Sequence, residues 1–61
     1  MSATIEEINL GSSRITQLGD DVFRNCVKLV NLYLYDNMLT SLSPTIFDDL
    51  VELKTLLLSN N

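Results

Sequence analysis

Apolar residues recur along this chain in columns 24 positions apart. Ile5, Leu29 and Leu53 form one column, Ile8, Leu32 and Leu56 the next, and Leu10, Leu34 and Leu58 the third. Ile15 with Leu39, Leu18 with Leu42, Phe23 with Phe47 and Cys26 with Leu50 continue the pattern, and Ser13, Asn37 and Asn61 share a polar column. A fixed period of roughly 20–50 residues marks a stacked-repeat architecture. Within each period the apolar spacing changes. Leu32 and Leu34 alternate with Tyr33 and Tyr35, which predicts a strand over about Val30 to Tyr35. Asp36-Asn37 then turns the chain, and Leu39 and Leu42 point inward from the descending side. Ser43-Pro44-Thr45 reads as a second turn, with Ser43 as a cap and Pro44 acceptable at a first helical position. Phe47, Leu50 and Leu53 are spaced three apart, which suits one or two helical turns or a tighter 3₁₀ coil.

The expected fold is therefore an α/β solenoid. Short parallel strands line its concave face and short helical or 3₁₀ arcs its convex face. One domain covers residues 1–61, with repeats at 5–28 and 29–52, a partial one at 53–61, and no cap at either end. Stacked leucines make the core, and fully burying each contributes roughly 1.5–3 kcal/mol. Phe23 and Phe47 extend that core on the returning side. Asn37 and Asn61 fall where the chain turns inward. A carboxamide there can satisfy unpaired backbone donors and acceptors together, each worth about 1–3 kcal/mol if left unmade in the interior. Ser13 has only a hydroxyl, so this ladder is weaker in the first coil.

Composition narrows the function. Eight acids against four bases give a net charge of −4. A nucleic-acid groove needs clustered Lys and Arg, and docking on an anionic membrane surface needs the same. The longest apolar run is Leu56-Leu57-Leu58, far below the roughly 18 residues of a membrane span. Met1 to Thr4 has neither a basic segment nor an apolar core, so no secretion signal is visible. The chain has one cysteine and no histidine, which leaves no intrachain disulfide, no zinc site and no partner to activate Cys26 as a nucleophile. No phosphate-cradling glycine motif is present either. The expectation is a non-catalytic chain without cofactor or metal.

The run L-x-x-L-x-L-x-x-N-x-L, as Leu29, Leu32, Leu34, Asn37 and Leu39, returns as Leu53, Leu56, Leu58 and Asn61. It resembles the leucine-rich repeat family. The Phe47 and Leu50 pair resembles the 24-residue subtype of extracellular proteins such as Toll-type receptors, Slit-type guidance proteins and platelet receptors. The stretch LTSLSPTIFDDLVEL is similar to the variable lymphocyte receptors of jawless fish. The resemblance implies a receptor-type or immune protein-recognition module at an extracellular or cell-surface location. Two positions depart from the pattern: Ser13 replaces the asparagine, and Pro44 falls one place late.

Outward side chains of parallel strands about 4.8 Å apart form columns of their own. Asn9, Tyr33 and Leu57 make one, and Gly11, Tyr35 and Ser59 the next. Glu7, Asn31 and Thr55 flank them on one side, and Ser12, Asp36 and Asn60 on the other. Tyr33, Tyr35 and Leu57, with Asn9, Asn31, Asp36, Thr55 and Ser59, are the candidate contacts for a protein ligand. The competing reading is that aromatic residues simply suit pleated sheets. Asp20-Asp21 and Asp48-Asp49 read as a solvated convex face, and Glu6-Glu7 as a solvent edge. Bare apolar ends at Ile5, Ile8 and Leu10 and at Leu53, Leu56 and Leu58 open a second possibility. There the chain is a structural unit that self-associates, or stacks on flanking repeats.

Overall fold

The strand periodicity resolves into three short strands in a computed structural model that describes residues 3–61. They are β1 (Glu7–Asn9), β2 (Asn31–Tyr33) and β3 (Thr55–Leu57). The sheet is parallel, in chain order. Glu7 pairs with Asn31 and Asn31 with Thr55, Ile8 with Leu32 and Leu32 with Leu56, so the sequence period is the register of the sheet. The regular strand is shorter than the Val30 to Tyr35 predicted from alternation. The pairing itself runs further. Val30 and Asn31 N–H donate to the Glu6 carbonyl, Leu10 N–H to Tyr33 and Ser12 N–H to Tyr35. Lys54, Thr55, Leu34 and Asp36 repeat this toward the third strand. Ser12, Asp36 and Asn60 adopt left-handed backbone, with φ of 54°, 53° and 59°, and this ends each extended run. Asp and Asn accept that region more readily than most residues.

The core lies behind the sheet. Leu29, Leu32, Leu34, Phe23 and Cys26 are fully buried, with Ile8, Leu39, Ile46 and Leu50 around them. The central coil is the best enclosed: Leu32 is 0% exposed, whereas Leu56 in the same column is 37% exposed. Phe47 is only half-buried and lies against Phe23, ring centroids 6.3 Å apart. Its neighbour Ile46 is buried instead. Val22 and Ile46 thus form a further apolar column.

The returning arcs correct one expectation. Among the described residues no α- or 3₁₀-helix forms. Val22, Arg24, Cys26 and Leu29 N–H donate to the carbonyls three residues back, at Gly19, Asp21, Phe23 and Cys26. Ile46, Asp48, Leu50 and Leu53 do the same to Ser43, Thr45, Phe47 and Leu50. Donors fall two or three residues apart, so each bond closes a single turn and no helical ladder propagates. Geometry explains the preference. Strands pack about 4.8 Å apart, whereas helices are about 10 Å across, so turns fit closely stacked coils better. Asn25 adds a local stop, with φ of 65°. Ser43 caps a turn rather than a helix, its Oγ accepting from Thr45 N–H at 3.4 Å.

Asn37 is the buried polar side chain among the described residues, at 7% exposure. Its Oδ1 accepts from Ser13 and Ile15 N–H, both at 3.0 Å. Its Nδ2 donates to the carbonyls of Leu10, Leu34 and Tyr35 at 2.9, 3.0 and 3.1 Å. Asn61 makes a similar set, accepting from Leu39 N–H and donating to Leu34, Leu58 and Ser59. Ser13 instead turns its hydroxyl onto the adjacent Gly11 carbonyl at 3.2 Å. Urea unfolding should therefore rank three variants. Asn37→Ala should lose about 2–4 kcal/mol through several orphaned backbone groups, Leu34→Ala about 2–5 kcal/mol, and Ser13→Ala under about 0.5 kcal/mol. An Asn37→Ala variant as stable as Ser13→Ala would remove the carboxamide from this role.

Candidate functional site

The in-register strands set the candidate face. In β1 and β2 the middle residues Ile8 and Leu32 belong to the core, and Leu56 holds the same register position in β3 at 37% exposure, so their neighbours point to the other face. Asn9, Tyr33 and Leu57 consequently stand side by side. Leu57 is 43% exposed, and Tyr33 is half-buried between its two neighbours. Glu7, Asn31 and Thr55 make the adjoining column, where Asn31 Nδ2 donates to Glu7 Oε1 at 3.4 Å. At the far side, Asn60 Nδ2 donates to Asp36 Oδ1 at 2.8 Å. Ser59 is exposed, and its carbonyl accepts the Asp36 N–H.

The two tyrosines differ, although their spacing in the sequence makes them look alike. Tyr35 lies with the outer end of its ring directly over Gly11, so that a β-carbon at position 11 would fall among Cζ, Cε1 and Cε2. Gly11 is required here for space, since its φ is not positive. Asn9 reinforces the platform, its Oδ1 accepting the Gly11 N–H at 3.0 Å. Tyr35 and Asn9 thus both make contacts within the sheet around Gly11. Tyr33 stands in register between Asn9 and the exposed Leu57. The Gly11 signal was available in the sequence, since an aromatic in the same column as a glycine can cover it.

The convex acids are not uniformly solvated. Asp49 is half-buried and its Oδ2 accepts the N–H of Asn25 at 2.8 Å, one coil away. The bond holds the backbone where Asn25 is left-handed. Asp20, Asp21 and Asp48 remain exposed. Among the described residues no three Asp, Glu, Cys or His side chains converge as a metal site would require. Cys26 is fully buried behind the sheet. An apolar groove of about 240 Å³ borders the third strand, lined by Leu39, Leu42 and Leu58 among others.

A leucine rich repeat family model matches residues 3–61. Human leucine-rich repeat-containing protein 66 is a relative, 36% identical over 58 residues. That alignment covers 95% of this chain and 7% of the relative, so the chain spans a small part of that protein's length. No solved structure matches the chain.

The Gly11–Tyr35 contact yields a double-mutant prediction. Gly11→Ala should cost about 1–3 kcal/mol of unfolding free energy by overpacking. In a Tyr35→Ala background the same change should cost less than about half as much. Equal costs in both backgrounds would show that the ring does not set the glycine requirement.

Proposed function

The chain belongs to the leucine-rich repeat family, and we propose that it is a non-catalytic module that binds a protein partner through its outward strand face. Leucine-rich repeats generally serve as protein-interaction modules and are typically non-catalytic. The observation that carries the reading is the Tyr33–Leu57 pair. A half-buried tyrosine stands in register with an exposed leucine on a face whose other residues, Tyr35 apart, are small or polar. Aromatic and aliphatic anchors of this kind dominate protein interfaces, with polar groups at the rim. Asn31, Asp36, Thr55 and Ser59 supply that rim, while Asn9 and Tyr35 shape the floor. An extracellular or cell-surface setting, as part of a larger receptor-type protein of the 24-residue subtype, rests on the sequence resemblance.

A second reading, self-association, is supported by the third strand. Leu56 is 37% exposed there and the apolar groove lies beside it. A further coil would cover this surface, and so would a second copy.

Two measurements separate the readings. In calorimetric titration with a purified partner, Tyr33→Ala and Leu57→Ser should each weaken binding at least about tenfold, or about 1.4 kcal/mol. Val51→Ser, at an apolar residue 77% exposed outside the strands, should leave affinity unchanged. Unchanged affinity in Tyr33→Ala would remove the strand face from recognition. Sedimentation over a dilution series should show mass falling with concentration if the chain self-associates, and a constant monomer mass would end that reading.

A further inference from the structure

We infer that the strand face selects a basic, extended protein segment; this rests on the face being the recognition surface proposed above. The inference comes from where charge sits. The four bases are Arg14, Arg24, Lys28 and Lys54, and none occupies an outward strand position. The charged residues in the outward columns are the acids Glu7 and Asp36, and both are exposed.

Each acid is held by a neutral partner. Asn31 Nδ2 donates to Glu7 and Asn60 Nδ2 donates to Asp36. A carboxamide donor orients a carboxylate without neutralising it. Glu7 is thus placed by β1 and Asp36 by the turn after β2, while their charge remains available to a partner. Asp36 follows Asn31 by five positions, and Asn31 stands beside Glu7. At about 3.3 Å per residue and about 4.8 Å between strands, the two acids are roughly 17 Å apart. Tyr33 and Tyr35 lie along that span, and Leu57 flanks Tyr33 on the third strand. An extended segment crosses that distance in about five or six residues. Two of its cations can meet Glu7 and Asp36 while an apolar side chain rests on Leu57. An arginine can also lie on the face of Tyr33.

The experiment is amide NMR titration of the chain with three capped peptides of one length. The first carries two arginines about six residues apart around a central leucine. In the second, citrulline replaces both arginines, and in the third, glutamate does. The arginine peptide should shift the amides around Tyr33, Leu57, Glu7 and Asp36, and should bind at least about tenfold more tightly than the other two at about 20 mM salt. Raising salt to about 500 mM should cut that preference to under about threefold, because exposed pairs are screened. Glu7→Gln and Asp36→Asn keep an acceptor for their asparagine partners, so the fold is preserved. Each should weaken the arginine peptide about threefold, and together they should erase its advantage.

Equal binding of all three peptides at Tyr33 and Leu57 would overturn the basic preference and leave the recognition face standing. Shifts confined to the Asp20–Asp48 side would overturn both. No shift with any peptide at millimolar concentration would overturn the basic preference, and the Tyr33→Ala titration with a protein partner then decides the face separately.

Discussion

A side-chain amide holds the corner where the chain leaves its second strand. Asp36 takes a left-handed conformation there, which ends the extended run and turns the backbone inward. The turn leaves carbonyls of Leu34 and Tyr35 facing the interior, and the first coil presents N–H groups of Ser13 and Ile15 and the carbonyl of Leu10. Donors and acceptors are needed within one small volume. A carboxamide offers two donors and a separate acceptor oxygen on a short neutral side chain, more than a hydroxyl can, and Asn37 engages all five groups. Aspartate would match the N–H groups and repel the carbonyls. Leucine would match neither.

This one bonding pattern fixes register, and register fixes the rest. Because residue n of one coil lies against residue n plus 24 of the next, apolar columns coincide and the core closes around Leu29, Leu32 and Leu34. The same coincidence aligns backbone for the turn-by-turn return through Gly19 to Leu29 and Ser43 to Leu53. Those arcs carry few consecutive hydrogen bonds, so side-chain packing and cross-coil contacts must hold them. Phe23 beneath Phe47 supplies the first kind, and Asp49 on the Asn25 N–H the second. The convex side is thus tied between coils rather than within them.

Much of this was legible in the sequence. The 24-residue period placed the strands, their parallel register and most of the core, because burial demands the same residue type at the same step of every coil. Local spacing was a poorer guide. Phe47, Leu50 and Leu53, three apart, suit a helix and a succession of single turns equally, and only the crowding of neighbouring coils decides. The shift from Phe47 to Ile46 follows from that: in turns, two adjacent side chains can both face inward, whereas a fixed helical step allows one. On the candidate face, the sequence located the columns but not the difference between Tyr33 and Tyr35. That difference depends on Gly11, 24 residues before Tyr35: the glycine–aromatic column is visible in the sequence, but the seating of the ring over it is settled only by packing.

The separation of duties on the strand face bears on how such a chain acquires a partner. Asn9 holds the Gly11 N–H, and Tyr35 covers Gly11. Both side chains therefore have a contact within the sheet besides any they make to a ligand. Tyr33, Leu57 and Glu7 lie on the same face, yet no hydrogen bond ties their side chains to the core or the ladder. Substitution at these three positions alters charge and shape at little expected cost to register, because register is enforced by the core and by Asn37 at the corner. Selectivity therefore belongs to the residues that the fold leaves uncommitted. The proposed basic partner follows from this chain's particular choice of two acids and a tyrosine, carried on a backbone that would present other side chains in the same places.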